Sequence, residues 1–217
     1  MNHDDQIEAI CAIFRCERDS AEALADILSV HLHGAGDVLA SQGTPANHFW
    51  LVIDGAVRVD AFGVDGQRQQ LAQYGPGEGF GAFPEASTNR AEISAESETT
   101  LFRIEATRLA EAVANDAQTG AGMARLLARQ LDRALDRMVT RTTYSAAGRV
   151  YAELLSLAGE SARIAPPPKV TALALSANTT RETASRAIAV LIRRGIVTRD
   201  EECLVIDSPR MLMDLIT

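Results

Sequence analysis

The stretch TTRETASRAIAVLIRRG, residues 179–195, decides how the chain is read. Four arginines, Arg181, Arg186, Arg193 and Arg194, crowd into it, in a chain of 217 residues whose formal net charge is −8. Thr179 and Glu182 have the Thr-x-x-Glu spacing of a capping box, so a helix is predicted to begin there. Wound at about 100° per residue, Ala184, Ala187, Ile188 and Leu191 share one face, and Arg181, Glu182, Ser185 and Arg186 the opposite one. The polar groups gather in the first two turns and point away from the core, the layout of a recognition helix entering the major groove. Arginine can hold O6 and N7 of guanine with two hydrogen bonds, and a carboxylate can accept from N4 of cytosine. Arg193, Arg194 and Arg199 lie further along and are predicted to meet phosphates, which position a protein without specifying sequence. Two plainer readings stay open: Glu182 as a capping residue only, and Arg181 and Arg186 as a solvated face.

The flanks agree with the helix. Residues 170–209 read as helix, turn, helix and two short strands, with Asn178 and Thr179 at the turn. IVTRDEECLVIDSP, after Gly195, has the texture of a two-stranded wing with RDEE as its turn. Three consecutive prolines, Pro166 to Pro168, cannot sit inside a helix and separate this region from the one before it. Charge is divided as well. Residues 1–140 hold 11 basic and 21 acidic residues, whereas residues 169–199 hold six basic and one acidic. A local basic patch binds a polyanion even where the whole chain is acidic.

Upstream, residues 5–30 read as helix, since Ile7, Ile10, Phe14, Leu24, Ile27 and Leu28 recur at helical spacing. From about residue 31 to 105 the texture changes. Short apolar runs (FWLVI, AVRVDAF, QLAQY, TLFRI) alternate with glycine-bearing turns, which predicts an antiparallel sandwich or barrel. GVDGQ, residues 63–67, has the Asp-Gly of a hairpin turn. Residues 106–140 and 141–158 read as helices. Along the first, Met123, Leu127, Leu131, Ala134, Leu135 and Met138 form one stripe with Arg and Asp outside it. A stripe flanked by charge suits a partner helix, so Leu127, Leu131 and Met138 are candidates for a dimer seam; plain core packing is the alternative.

Composition excludes several classes. No apolar run approaches the roughly 18 residues of a membrane span, so no membrane partner is expected. The opening MNHDDQIEAI lacks the layout of a signal peptide, and a cytoplasmic location is the expectation. Cys11, Cys16 and Cys203 make no disulfide framework, and His3, His31, His33 and His48 show no metal spacing. No cofactor is expected. An enzyme using GPGEGFG as a phosphate loop is disfavoured, because no Lys-Ser/Thr follows the glycines and no nucleophile–base pair is evident.

With these residues in view, a family emerges. TTRETASRAIAVLIRRGIV resembles the recognition helix of the cyclic-AMP receptor protein and fumarate–nitrate regulator family of bacterial transcription factors, and its Arg-Glu-Thr-x-x-Arg core is nearest the cyclic-AMP receptor branch. GDVLASQGTPANHFWLVIDGAVRVDAF, residues 36–62, resembles the start of the family's β-domain, and AAGRVYAELLSLA, residues 146–158, resembles the segment leading out of its dimer helix. The resemblance implies an α+β fold in three parts: a cyclic-nucleotide-binding-like jelly roll (double-stranded β-helix) over residues 1–115, a dimerisation helix over 116–140, and a winged helix-turn-helix over 141–217. It implies a homodimer, double-stranded DNA as partner, RNA polymerase as a further one, and no catalysis. Arg181, Glu182 and Arg186 would read a palindromic TGTGA-like site, with Thr180, Ser185, Arg193 and Arg194 beside them.

The effector cassette departs from the family's pattern. In GEGFGAFPEASTNRAEISA, residues 77–95, Gly81 keeps its glycine, but Ala82 stands where a ribose-contacting Glu is expected. Asn89 falls at the phosphate-binding Arg position, with Arg90 one residue late. The Thr-Ser pair that contacts adenine is absent from LARQLDRALDRMV, residues 127–139. Control by cyclic AMP is therefore not expected. A second reading keeps the β-domain as a small-molecule sensor and gives the winged helix to protein contacts; salt-titrated DNA binding separates the two.

Overall fold

The computed structural model describes residues 1–63 and 68–216. The chain divides into two compact units, Met1–Arg133 and Ala134–Thr217. Each is described by itself.

The first unit opens with α1, His3–Phe14. Asn2 Oδ1 accepts from the Asp5 N–H at 2.8 Å, and the Asp5 carboxylate accepts from the Asn2 N–H at 2.8 Å, so a reciprocal cap starts the helix. Arg15, at φ 53°, turns left-handed and ends it. α2, Arg18–Ala25, follows, and β1, Leu28–His33, is already strand. The single helix expected over residues 5–30 is therefore two helices and the start of a strand. From Leu28 the pattern is also compatible with period-2 alternation, and pairing with a distant strand decides between the periods.

The strands then run β2, Val38–Ala40; β3, Pro45–Ala46; β4, His48–Asp54; β5, Val57–Phe62; β6, Arg68–Tyr74; β7, Gly79–Gly81; β8, Ser87–Thr88; β9, Glu92–Ala95; and β10, Thr99–Glu105. They form two four-stranded antiparallel sheets, in the orders β1-β10-β4-β7 and β2-β9-β5-β6, and a small β3-β8 pair. The hairpin turn expected at residues 63–67 lies almost wholly outside the described residues; β5 and β6 on either side pair antiparallel, with Phe62 opposite Arg68. At the β4–β5 turn a Cβ on Gly55, at φ 81°, would stand 2.2 Å from the Glu98 carbonyl oxygen, so only glycine fits there.

Strand alternation gives the first sheet two apolar faces. Val52, Phe80 and Leu101 look into the roll with Val57 and Ile93. Phe49, Leu51, Phe102 and Ile104 pack outward on Ile7, Ile10, Phe14, Leu24, Leu109, Met123 and Leu126. Those last three belong to α3, Ala106–Asn115, and α4, Ala117–Thr143. Here too one expected helix is two. The Asp116 carboxylate accepts from the Thr119 hydroxyl at 2.6 Å and the Thr119 N–H at 2.9 Å, which restarts the helix. The Thr119 hydroxyl and N–H, with further help from Ser20, hold the Asp116 carboxyl down to about 2. The stripe read along this segment divides: Met123 is buried in this core, while Leu127 and Leu131 remain exposed.

One buried charge had no warning in the sequence. Asp60 on β5 is 0% exposed, and its Oδ2 accepts from Arg58 Nε at 2.8 Å and from Arg68. A buried carboxylate must be paired in this way to remain charged.

The second unit begins inside α4 and continues with α5, Ala146–Ala158, whose N-cap Ser145 accepts from the Gly148 N–H at 3.0 Å. The elements after it are β11, Arg163–Ile164; α6, Val170–Ser176; α7, Arg181–Arg193; β12, Val197–Arg199; β13, Leu204–Ile206; and α8, Pro209–Met213. Leu154, Leu173, Ala184, Ile188, Leu191, Leu204 and Leu212 make one core. The wing has three strands rather than two, ordered β11-β13-β12, because Arg163 and Ile164 pair with Val205 and Leu204. RDEE is the turn: the Asp200 carboxylate accepts from the N–H groups of Glu202 and Cys203 at 2.8 and 2.7 Å.

Candidate nucleic-acid interface and effector region

α7 starts one residue later than its sequence suggests. Asn178 is left-handed at φ 50°, and the Thr179 N–H donates to the Ala174 carbonyl at 2.9 Å. Thr179 is thereby used in closing α6. Thr180 becomes the N-cap, accepting from the Thr183 N–H at 3.2 Å, and the Thr179–Glu182 capping box does not form. Glu182 is released from the cap and pairs with the Arg186 guanidinium one turn on.

The two faces of α7 separate cleanly. Ala184, Ala187, Ile188 and Leu191 are buried. Thr180, Arg181, Glu182, Ser185 and Arg186 are exposed, Glu182 and Arg186 each to 73% of their side chains. These groups surround the N-terminal end of the helix, where free N–H groups and the helix dipole favour an anion. Arg193 and Arg194 are exposed at the far end. Arg199 is not free in the same way: its guanidinium donates to the Pro168 carbonyl at 3.1 Å, which ties the wing to the proline segment.

Sequence reasoning missed Arg149. From α5 its Nε donates to the Ala177 carbonyl at 2.9 Å, its Nη2 to the Asn178 carbonyl at 2.9 Å and its Nη1 to the Tyr144 carbonyl at 3.1 Å. One planar guanidinium thus satisfies carbonyls at the end of α6 and fixes the turn that aims α7. Nothing in the local pattern around AAGRVY points to partners about thirty positions away.

The four residues of the effector cassette do not come together. Gly81, at φ 103°, and Asn89 line a cavity of about 90 Å³ with Trp50, Phe80 and His48, whereas Ala82 and Arg90 do not line it. A Cβ on Gly81 would lie 2.3 Å from the His48 carbonyl oxygen. Ala82 is 1% exposed, and its N–H donates to that same oxygen at 2.9 Å. Asn89 Nδ2 donates to the carbonyl and hydroxyl oxygens of Thr44 at 3.2 and 3.1 Å, so it closes a loop. Arg90 is exposed. Aromatic rings occupy the inside of the roll: Trp50 stacks on Phe80 at 6.2 Å and Phe80 on Tyr74 at 5.6 Å between centroids.

Beside Trp50 the first sheet gathers polar rings. His31, His33 and His48 lie 5.5, 6.3 and 6.3 Å from the indole, and the Arg103 guanidinium sits 5.8 Å from its centroid. His31 and His33, two apart on β1, share a face, and pairing through β10 to β4 is what brings Trp50, Arg103 and His48 to them. Burial first, and then the Arg103 charge, push His31 and His48 below the ordinary histidine value. The unfolded chain then binds more protons than the folded one, so stability rises with pH through this window and is lost as pH falls below about 6.5. Urea unfolding between pH 7.5 and 5.5 is expected to show this slope, and the double variant His31→Gln, His48→Gln to flatten it. A slope untouched by the double variant would assign the effect to other groups. Among the described residues, no three His, Cys, Asp or Glu side chains converge as a metal site would require.

Residues 31–116 match the family described as cyclic nucleotide-binding domain, and residues 148–215 the Crp-like helix-turn-helix domain. A "CRP-like cAMP-activated global transcriptional regulator" from Mycobacterium tuberculosis is 26% identical over 218 residues, covering 95% of this chain and 97% of the relative. Among solved structures, FixK2 from Bradyrhizobium japonicum aligns with a TM-score of 0.76 at 24% identity, over 88% of this chain and 98% of that one. CooA from Carboxydothermus hydrogenoformans, as a double mutant, aligns with a TM-score of 0.76 at 20% identity, over 94% of each. These two carry the fold. A nucleotide-binding-type roll, a long helix and a Crp-like helix-turn-helix, in that order and matched along nearly the whole chain, make this protein a member of the cyclic-AMP receptor protein and fumarate–nitrate regulator family of bacterial transcription regulators.

Proposed function

We propose that the chain works as a homodimer that reads a palindromic, TGTGA-like DNA site and does so without cyclic AMP. The exposed face of α7 carries the reading. Arg181, Glu182 and Arg186 project from the first two turns, opposite the buried Ala184, Ile188 and Leu191. Arginine and glutamate there match guanine and cytosine edges, and Thr180, Ser185, Arg193 and Arg194 suit the flanking backbone. Exposed Leu127, Leu131 and Met138 on α4 support a second copy as partner. RNA polymerase is a further partner on the family's pattern, and a DNA target supports a cytoplasmic location.

The M. tuberculosis relative is described as activated by cyclic AMP. The residues of this chain do not fit that ligand. Its roll holds a cavity of about 90 Å³, against about 300 Å³ at the small end of ligand pockets. Ala82 offers no side-chain acceptor to a ribose hydroxyl, and Asn89 offers no charge to a phosphate and is spent on Thr44. Losing a charge-assisted pair is the heavier of these losses.

Selection from random duplexes with no nucleotide present tests the whole reading. It should enrich an inverted repeat with half-sites about 10–10.5 bp apart, bound with an affinity that falls steeply with salt. Cyclic AMP at millimolar concentration should change neither the motif nor the affinity. Recovery of no motif would favour the reading in which the winged helix contacts protein, and a motif recovered only with cyclic AMP would overturn the ligand part alone.

A further inference from the structure

The first unit is acidic, with 11 basic against 21 acidic residues over positions 1–140. Three of those arginines nevertheless converge. Arg15, Arg129 and Arg133 line a cavity of about 360 Å³ between the end of α1, the β6–β7 turn and α4. Ile13, Leu126 and Pro76 supply apolar wall. Its volume lies within the range of small-molecule pockets, about 300–1,000 Å³.

The charges there are unbalanced. Glu78 is the cavity's only carboxylate among the described residues. Its Oε2 accepts from the Gly75 N–H at 2.8 Å, and its Oε1 is paired with Arg133. Glu78 therefore neutralises Arg133 and has little left for the others. The guanidinium groups of Arg15 and Arg129 have no hydrogen-bond or ion-pair partner among the described residues. Arg15 also holds a left-handed backbone, φ 53°, where glycine or asparagine would be less strained. Hydrogen bonds join the elements around it: Arg125 Nη2 donates to the Phe14 carbonyl at 2.7 Å, and Gln130 Nε2 donates to the Gly79 carbonyl.

We propose that this cavity binds a small organic phosphate, with Arg15 and Arg129 on the phosphate and Ile13, Leu126 and Pro76 against its apolar body. Guanidinium groups match phosphate geometry with paired hydrogen bonds, and a single anionic oxygen cluster answers two free positive charges. The site is separate from the inside of the roll, so it does not depend on whether the roll takes a nucleotide. It also differs from the exposed leucine row. At about 100° per residue, Leu126, Arg129, Gln130 and Arg133 share a face of α4 roughly a third of a turn from Leu127 and Leu131. A ligand here would hold the helix that carries that row, which makes the site suited to an effector.

Phenyl phosphate is a direct probe, with phenol and inorganic phosphate as its two halves. Calorimetric titration of the full chain at low salt, without DNA, should show saturable binding of phenyl phosphate, one per chain. Arg15→Ala and Arg129→Ala should each weaken it about tenfold or more, the scale of a lost charge-assisted contact. Both side chains are exposed, so circular dichroism and the melting temperature should match the parent. Arg90→Ala, at an exposed arginine away from the cavity, should bind as the parent does. No saturation by about 10 mM, at the weak end of specific binding, would overturn the proposal. So would binding unaffected by either arginine variant, and inorganic phosphate binding as tightly as the ester would overturn the organic-ligand assignment. Because no DNA is present, these outcomes leave the base-reading proposal untouched.

Discussion

Leu131→Glu should turn the protein into a monomer and lower its affinity for an inverted-repeat DNA site by about 10²–10⁴-fold, the scale of lost two-site avidity. Leu131 is 60% exposed, and Leu127, Leu135, Met138 and Val139 on the same helix are exposed as well. Large apolar side chains clustered on one helix mark an association surface. A carboxylate at each side of a two-fold seam would be desolvated against its own copy, which is strongly unfavourable. The substitution leaves both cores intact, because Leu131 belongs to neither. Light scattering with DNA-binding anisotropy reads both effects. A variant that stays dimeric with unchanged DNA affinity would place the seam elsewhere.

Arg186→Ala should cost about 1–3 kcal/mol of specific DNA binding, or about 5–150-fold, and relax the preference at one base pair. The pairing of Arg186 with Glu182 adds a condition. In the free protein the two groups satisfy each other, so base reading requires the pair to open or to act as a unit. That exchange is inexpensive, because an exposed pair one turn apart contributes only about 0.3–0.5 kcal/mol. Stability should accordingly change by less than about 0.5 kcal/mol. Glu182→Gln should retain more affinity than Arg186→Ala, since it frees the guanidinium while keeping an amide oxygen as acceptor. Equal weakening on specific and random duplexes would reassign Arg186 to a phosphate.

Legibility differed from element to element. The two faces of α7 could be read directly, since helical period and residue type are local properties and Ala184, Ile188 and Leu191 need no distant partner to be recognised as apolar. Its cap could not. Thr179 and Thr180 are chemically equivalent candidates, and the choice follows from the left-handed turn at Asn178, which commits Thr179 to α6. The break at Asp116 was hidden for a related reason: an Asp with a Thr three residues on is a start signal, but it sat within a continuous helical pattern. Met123 and Leu127 were placed in one stripe because both are apolar. Only the fold of α1 and the first sheet onto α4 decides that Met123 is covered while Leu127 is left bare.

The amino-acid sequence by itself determined the class of this protein: an α+β chain with a turn-rich β-region, a long helix and a winged helix-turn-helix, in a family of DNA-binding regulators. Periodicity, capping residues and charge patterning act over a few neighbours, and a linear reading carries them. The tertiary structure alone decided which groups meet across long separations. Arg149 reaches the α6–α7 turn, His31 and His33 come to Trp50, and Arg15 lines one cavity with Arg129. Such meetings depend on sheet register and helix docking. These are set by the burial of the whole apolar surface, which no single segment specifies.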